Sequence, residues 1–138
     1  MATENYTNAV LVIHGGAGII TREQLGEREQ DFHDVLTAAL SRGYDAWMAG
    51  LSAVDIVTTA VSHLEDSPVF NAGCGSALTH TGTVEMDAAV MRGSDLAAGS
   101  VTQLTTARNP IMVARHVMEC SPFVMLAGAG ADQYVAEN

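Results

Sequence analysis

The stretch from Leu64 to Gly75 constrains this chain more than any other. A helical pattern runs into it and an alternating, strand-like pattern leaves it. Between them stand Pro68, Asn71, Gly73 and Gly75. Proline fixes its own φ and pushes the preceding residue, Ser67, out of the helical region, so a helix ends here. The two glycines open backbone conformations closed to other residues. Asn71 can both donate and accept through its side chain. A tight turn of this kind presents several carbonyls, which suits a hard cation or the fixing of a catalytic group. The plainer alternative is a helix-to-strand connection whose glycines serve geometry alone.

The chain on either side has 138 residues, enough for one domain with a real core, and we read residues 1–138 as a single domain. Six arginines, no lysine and 16 acidic residues leave a net charge of −10. So acidic a chain has no basic footprint for a phosphate backbone, which excludes a nucleic-acid binder. Without lysine it is neither a Schiff-base enzyme nor, by itself, a P-loop nucleotide hydrolase. Cys74 and Cys120 have no metal spacing, and no apolar run is long enough to span a bilayer. The first residues show no signal-peptide pattern, so the simplest expectation is a cytoplasmic protein with free thiols and no membrane partner.

In chain order, Ala9 to Ile13 is a continuous apolar run that reads as a fully buried strand. The glycine run His14 to Gly18 follows directly. Residues 23–31 are polar and read as a loop into a helix. From Phe32 the apolar positions 32, 35, 36, 39 and 40 mark one helix face, with Gly43 suited to the position past its end. Ser52 with Asp55 opens a second helix through a capping box, and Val54, Val57, Val61 and Leu64 continue it into the turn. Residues 76–79, 84–90 and 96–104 read as three strands joined by short turns, an antiparallel meander, with Gly99 a bulge or close-approach site. Asn109-Pro110 starts another helix with Ile111, Ala114 and Met118 on its core face. Ser121-Pro122 ends it, residues 123–127 are a short apolar run, residues 128–130 a turn, and Ala131 begins a last helix. Helices gathered on one side of a mostly antiparallel sheet make an α+β layered domain whose other sheet face calls for a partner.

Individual stretches carry chemistry only weakly. The glycine run fails the dinucleotide spacing because Thr21 stands where the third glycine belongs. A bare turn or a loop presenting N–H groups to a carbonyl or carboxylate remain open for it. Glu85 and Asp87 share a strand face and could work as an acid–base pair, or could be solvated or structural. His63, His80 and His116 with Cys74 lack zinc spacing. No serine lies in a nucleophile-elbow pattern.

Taken in order, four motifs resemble one family. They are His14-Gly15-Gly16-Ala17-Gly18; Leu64-Glu65-Asp66 running through Pro68 to Gly75; Glu85-Met86-Asp87-Ala88 with Met91-Arg92-Gly93 and Ala98-Gly99-Ser100-Val101; and Asn109-Pro110 through Arg115, Glu119 and Ser121-Pro122 to Ala131. The family is the plant-type L-asparaginases, or isoaspartyl peptidases, which are N-terminal-nucleophile hydrolases of the threonine aspartase group. The resemblance implies an inactive precursor that cuts itself before a threonine, the freed threonine being both amine and nucleophile. It implies a four-layer αββα sandwich of which this chain is the α subunit and half, completed by a β subunit and assembled as a dimer of αβ units. The nucleophile and the substrate-gripping groups would lie in the β subunit. It also implies a sodium loop, with backbone carbonyls of Leu64, Glu65, Ser67, Phe70, Ala72 and Cys74 as ligands, a donor set suited to a hard cation of low charge. Asn71 matches an asparagine beside the nucleophile, and His14, Gly15 and Gly16 match a loop bordering the active site. Glu85 and Asp87 then become structural. Ala129 departs from the family, which more often has an acid there. The expected substrates are L-asparagine and β-aspartyl dipeptides. The rivals are a glycosylasparaginase-like or protease-like threonine aspartase, and a non-catalytic binding module.

Overall fold

The structure, a computed structural model, describes residues 9–18 and 21–138. It is a mixed α/β arrangement of five α-helices and a three-stranded sheet among those residues. The elements are α1 (Arg22–Leu25), α2 (Glu29–Met48), α3 (Ala53–Glu65), β1 (Met86–Met91), β2 (Ala98–Leu104), α4 (Pro110–Cys120), β3 (Met125–Ala127) and α5 (Gly128–Glu137).

The capping boxes explain two of the helix starts. Ser52 Oγ accepts from Asp55 N, and an Asp55 carboxylate oxygen accepts from Ser52 N at 3.0 Å, satisfying two of the N–H donors at the start of α3. Thr21 and Gln24 do the same for α1 in what reads from sequence as a polar loop. Helix α2 runs through Gly43 instead of stopping there. Gly43 is buried, and a side chain at that position would collide with Leu11 Cδ2. It is therefore a contact glycine on the stripe that also holds Ala39 and Ala46. The stop is made at Gly50, with φ +76°: Gly50 N donates to Trp47 O at 2.8 Å and Leu51 N to Ala46 O at 3.1 Å, the paired bonds of a Schellman end.

The meander is only half realised. Strands β1 and β2 pair antiparallel, with Val90 opposite Gly99 and Met91 opposite Ala98. The expected strand at 76–79 is reduced to a single bridge, Leu78 to Val84, because Thr79, Thr81 and Thr83 close a turn on one another through their hydroxyls. The third strand is instead β3, drawn from the apolar run at 123–127. It pairs parallel with β2, and α4 supplies the crossover that a parallel pair needs. The expected turn at 128–130 is also revised: Gly128 takes φ +51° and opens α5 at once.

Alternation in β1 holds as read: Met86 and Val90 are buried, and Asp87, Ala89 and Met91 are exposed. The main core forms behind the buried face from Val54, Val90, Val101, Leu104, Ile111, Ala114, Val117 and Ala131, contributed by α3, β1, β2, α4 and α5. Fully burying a valine or leucine contributes about 1.5–3 kcal/mol, so these residues set the stacking of α4 on the sheet. Gly99 is a close-approach site as expected, since a side chain there would meet Ala114 O and Met118 Cβ, the latter at 2.8 Å. The opposite sheet face has no cover among the described residues.

The run Ala9 to Ile13 is not the buried strand expected. Val10 and Val12 are 87% and 81% exposed, and no described residue forms a ladder with the segment. Its other side is held: Leu11 lies on Gly43, and Ile13 packs on the buried cluster of Ala39, Leu64 and Phe70. A strand signal of β-branched residues states a preference for a pleated, half-buried surface, and only pairing realises it.

Candidate functional site

The turn after α3 is built from its own backbone. Asp66 N donates to Ser62 O at 3.0 Å and Ser67 N to Leu64 O at 3.2 Å, ending the helix at Glu65 with Asp66 as its C-cap, two residues before Pro68. Ala72 N donates to Phe70 O, Gly75 N to Ala72 O and Ser76 N to Gly73 O, which winds residues 73–75 into a 3₁₀ turn. The turn then folds back on the helix end. Gly73 has φ +54°, and a side chain on it would strike Glu65 O, with Glu65 Cβ at 2.6 Å and Glu65 C at 2.7 Å. A side chain on Gly75 would strike Phe70 O, with Ser67 O at 2.9 Å. The carbonyl of Glu65 thus approaches Gly73, and those of Ser67 and Phe70 approach Gly75, so closely that only glycine fits at either position. The oxygens of Phe70 and Ala72 each accept one N–H in the turn, and a carbonyl has a second lone pair. Neutral main-chain oxygens of this kind are the donor type that a hard cation takes.

Phe70 links the turn to the glycine run. Its ring is 6% exposed and meets Phe32 edge-on at 5.3 Å between centroids. On its other side lies Gly15, whose α-carbon approaches so closely that an added Cβ would stand 2.7 Å from Phe70 Cε1. His14, Gly15 and Gly16 are thereby seated against the turn. Within the run, Gly16 N donates to His14 Nδ1 at 3.1 Å, so Nδ1 is the acceptor and Nε2 carries the proton of the neutral ring. Asn71 is exposed and accepts from Ala77 N through Oδ1 at 2.8 Å. That commits its oxygen to the backbone and leaves the amide NH₂ as what it can offer.

Sequence reasoning misses the side chain of Glu65. It is 2% exposed, and its Oε1 accepts from Ile111 N, in the first turn of α4, at 2.9 Å. Burial pushes its carboxyl up to about 7, against the opposing pull of the Ile111 bond and of the nearby Asn109 amide. Asn109, expected to cap α4 itself, makes no side-chain capping bond. Its amide donates instead to Asp66 at 3.3 Å and to Ser62 O at 3.4 Å. Asp66 also accepts from Arg108 Nε at 2.9 Å, and the bonds from Asn109 and then Arg108 hold its carboxyl below the usual range. The only sequence signal for Glu65 is position: it falls beside Leu64 on the inward stripe of α3.

Glu85 and Asp87 do not form a working pair. Asp87 accepts from Thr102 Oγ1 at 2.6 Å and Gln103 N at 2.9 Å, and those bonds, Thr102 first, lower its pKa. They clamp a bulge, where β2 spends two residues, Thr102 and Gln103, between Val101 and Leu104 against one, Asp87, on β1, and Gln103 takes φ +52°. The structural reading of the pair therefore stands. Among the described residues no three His, Cys, Asp or Glu side chains gather into a metal cluster, and both cysteines are exposed thiols. Also among them, no helix is long and apolar enough to cross a membrane.

A family profile described as Asparaginase matches residues 7–138. The chain belongs to the asparaginase family. The isoaspartyl peptidase of Escherichia coli (strain K12) is 46% identical over 127 residues, covering 91% of this chain and 40% of that protein. The human isoaspartyl peptidase/L-asparaginase is 46% identical over 130 residues, covering 94% of this chain and 41% of the human protein. The plant-type L-asparaginase of Thermococcus kodakarensis is 47% identical over 126 residues, covering 91% and 40%. The chain thus spans about two-fifths of the length of the curated relatives it matches. Within the asparaginase family, relatives bearing both names, asparaginase and isoaspartyl peptidase, match this chain about equally well, so its residues do not separate the two.

Proposed function

We propose that this chain is the α subunit of an amidohydrolase that converts L-asparagine and β-aspartyl dipeptides to L-aspartate. The observation that carries the reading is family membership across residues 7–138, with relatives named isoaspartyl peptidase and L-asparaginase. The seating of the glycine loop on the turn through Phe70 supports it. The nucleophile is a threonine freed by autoproteolysis at the start of a β subunit outside these residues, and two αβ units pair. The threonine hydroxyl oxygen bonds to the side-chain carbonyl carbon of the substrate. The C–N bond breaks, the amine or ammonia leaves with a proton, and water cleaves the resulting aspartyl ester to return threonine and L-aspartate.

In that cycle this chain orients and stiffens. Asn71 offers its NH₂ beside the threonine while Ala77 holds its oxygen. His14, Gly15 and Gly16 border the substrate from their seat on Phe70. The carbonyls of Leu64, Glu65, Ser67, Phe70, Ala72 and Cys74 would hold a sodium ion, which supplies fixed charge and rigidity next to Asn71. The uncovered sheet face around Ala89 and Met91 suits packing against the second layer of a sandwich.

The test is the full-length precursor carrying Asn71→Ala. Intact mass under denaturing conditions reads the cut, and release of L-aspartate from L-asparagine and from a β-aspartyl dipeptide reads turnover. Wild type is expected as two chains, one beginning with threonine, and active on at least one substrate; the variant is expected to be slow in both steps. A wild type that stays one chain and hydrolyses neither substrate overturns the function, and a variant equal to wild type removes Asn71 from it.

A further inference from the structure

Residue Glu65 is held at both ends by different elements. Its main-chain carbonyl lies against the α-carbon of Gly73, inside the candidate cation turn. Its carboxyl oxygen Oε1 accepts the N–H of Ile111 at 2.9 Å, while Oε2 is buried without a partner among the described residues. One residue therefore spans from the turn to the N-terminus of α4, and at 2% exposure water does not substitute for either contact. The arrangement is not a redundant cap. Asn109, at the N-cap position, turns its amide to Ser62 O and Asp66 instead of to α4. The N–H of Ile111 is one of the donors that a helix start leaves without an intrahelical partner, and Glu65 reaches it from 46 residues upstream.

We infer that Glu65 is a positioning residue for the cation turn: its carboxyl, seated on the first turn of α4, fixes the direction in which its own carbonyl faces the turn at Gly73. The inference rests on the cation reading above and goes beyond it, because it assigns a role to a side chain that is not a ligand. Two consequences separate it from a purely structural role. Losing the carboxyl weakens cation binding as well as the fold. By reciprocity, a bound cation must also tighten the bond at Ile111, since coupling between two sites acts equally in both directions.

The experiment uses the full-length precursor protein. Thermal unfolding is followed across a sodium chloride series, with choline chloride holding ionic strength constant. The variants are Glu65→Met, which fills the same space without an acceptor, Glu65→Gln, which keeps one, and Ser52→Ala, which removes the α3 cap far from the turn. The expected result is a half-stabilising sodium concentration raised about tenfold in Glu65→Met, the shift that follows when the energy of the lost bond is coupled in full to cation binding. Glu65→Gln should restore it to near the wild-type value. Ser52→Ala should melt lower with its sodium midpoint unchanged. In wild-type protein, sodium should also slow hydrogen exchange at the Ile111 amide, a measurement that needs no variant to fold. A Glu65→Met midpoint equal to wild type, or an Ile111 amide indifferent to sodium, overturns the inference while the cation turn stands. A wild-type protein that sodium does not stabilise at all overturns both.

Discussion

The replacement Gly73→Ala isolates what the central turn demands of its backbone. At φ +54° an L side chain has left-handed strain, which costs about 1–2 kcal/mol. The new methyl would also stand against Glu65 O, with Glu65 Cβ at 2.6 Å and Glu65 C at 2.7 Å. These are main-chain and β-carbon atoms at the end of α3, pinned by Ile111, so they do not swing aside. Overpacking against rigid neighbours costs a further 1–3 kcal/mol or so, for a total of about 2–5 kcal/mol. Gly82→Ala is the matched control: its φ is +82° and nothing lies within 4 Å of the added carbon. It carries the backbone strain without the collision, and the entropy that alanine removes from the unfolded chain is common to both. For a chain of 138 residues each kcal/mol moves Tm by about 3–4 °C. Scanning calorimetry and urea unfolding should place Gly73→Ala about 3–12 °C below Gly82→Ala. Equal losses in the two variants would refute the claim that Glu65 and Gly73 are in contact, and with it the folding of the turn back on the end of α3.

Gly99→Ala should be destabilised by about 1–3 kcal/mol in urea titration, since its methyl would force α4 off β2 at Ala114 and Met118. Phe70→Ala should lose about 3–5 kcal/mol, and limited proteolysis should cut the 14–18 segment faster once Gly15 has no ring to rest on. Asp132 accepts from both the N–H and the hydroxyl of Thr105 and of Thr106, and these bonds, Thr105 first, hold its pKa below the ordinary 3.8. The stabilisation is therefore complete above 3.8 and lost as pH falls through the lower folded-state value. Unfolding curves of Asp132→Asn and wild type should stand furthest apart near neutral pH and converge in acid.

What was legible in the sequence is what short range decides. The capping box at Ser52 and Asp55, the proline start of α4, the alternation through β1 and the closeness of Gly99 to a neighbour all follow from residues within a turn or a strand of one another. What was not legible is decided by contacts across the chain. Gly43 reads as a helix end until Leu11 is known to lie on it, and only then does Gly50 become the stop. Asn109 reads as a cap until Ser62 and Asp66 claim its amide. Residues 123–127 carry the same apolar run whether they pair beside β2 or not, and the register comes from α4.

The turn itself illustrates the division most sharply. Its glycines, proline and asparagine announce a special backbone, and the motif match names the carbonyls. Neither reveals that the geometry is imposed from outside the turn. Glu65 is anchored 46 residues downstream, and the ring of Phe70 is wedged between Phe32 and Gly15. A turn lined by main-chain oxygens has no side-chain signature of its own, so a sequence can encode it only through the residues that hold the main chain still. Those residues are apolar or buried, and by pattern alone they are indistinguishable from core. On the function proposed here, Glu65, Phe70 and Gly73, which hold the main chain in place, matter as much as His14 and Asn71, which offer polar atoms.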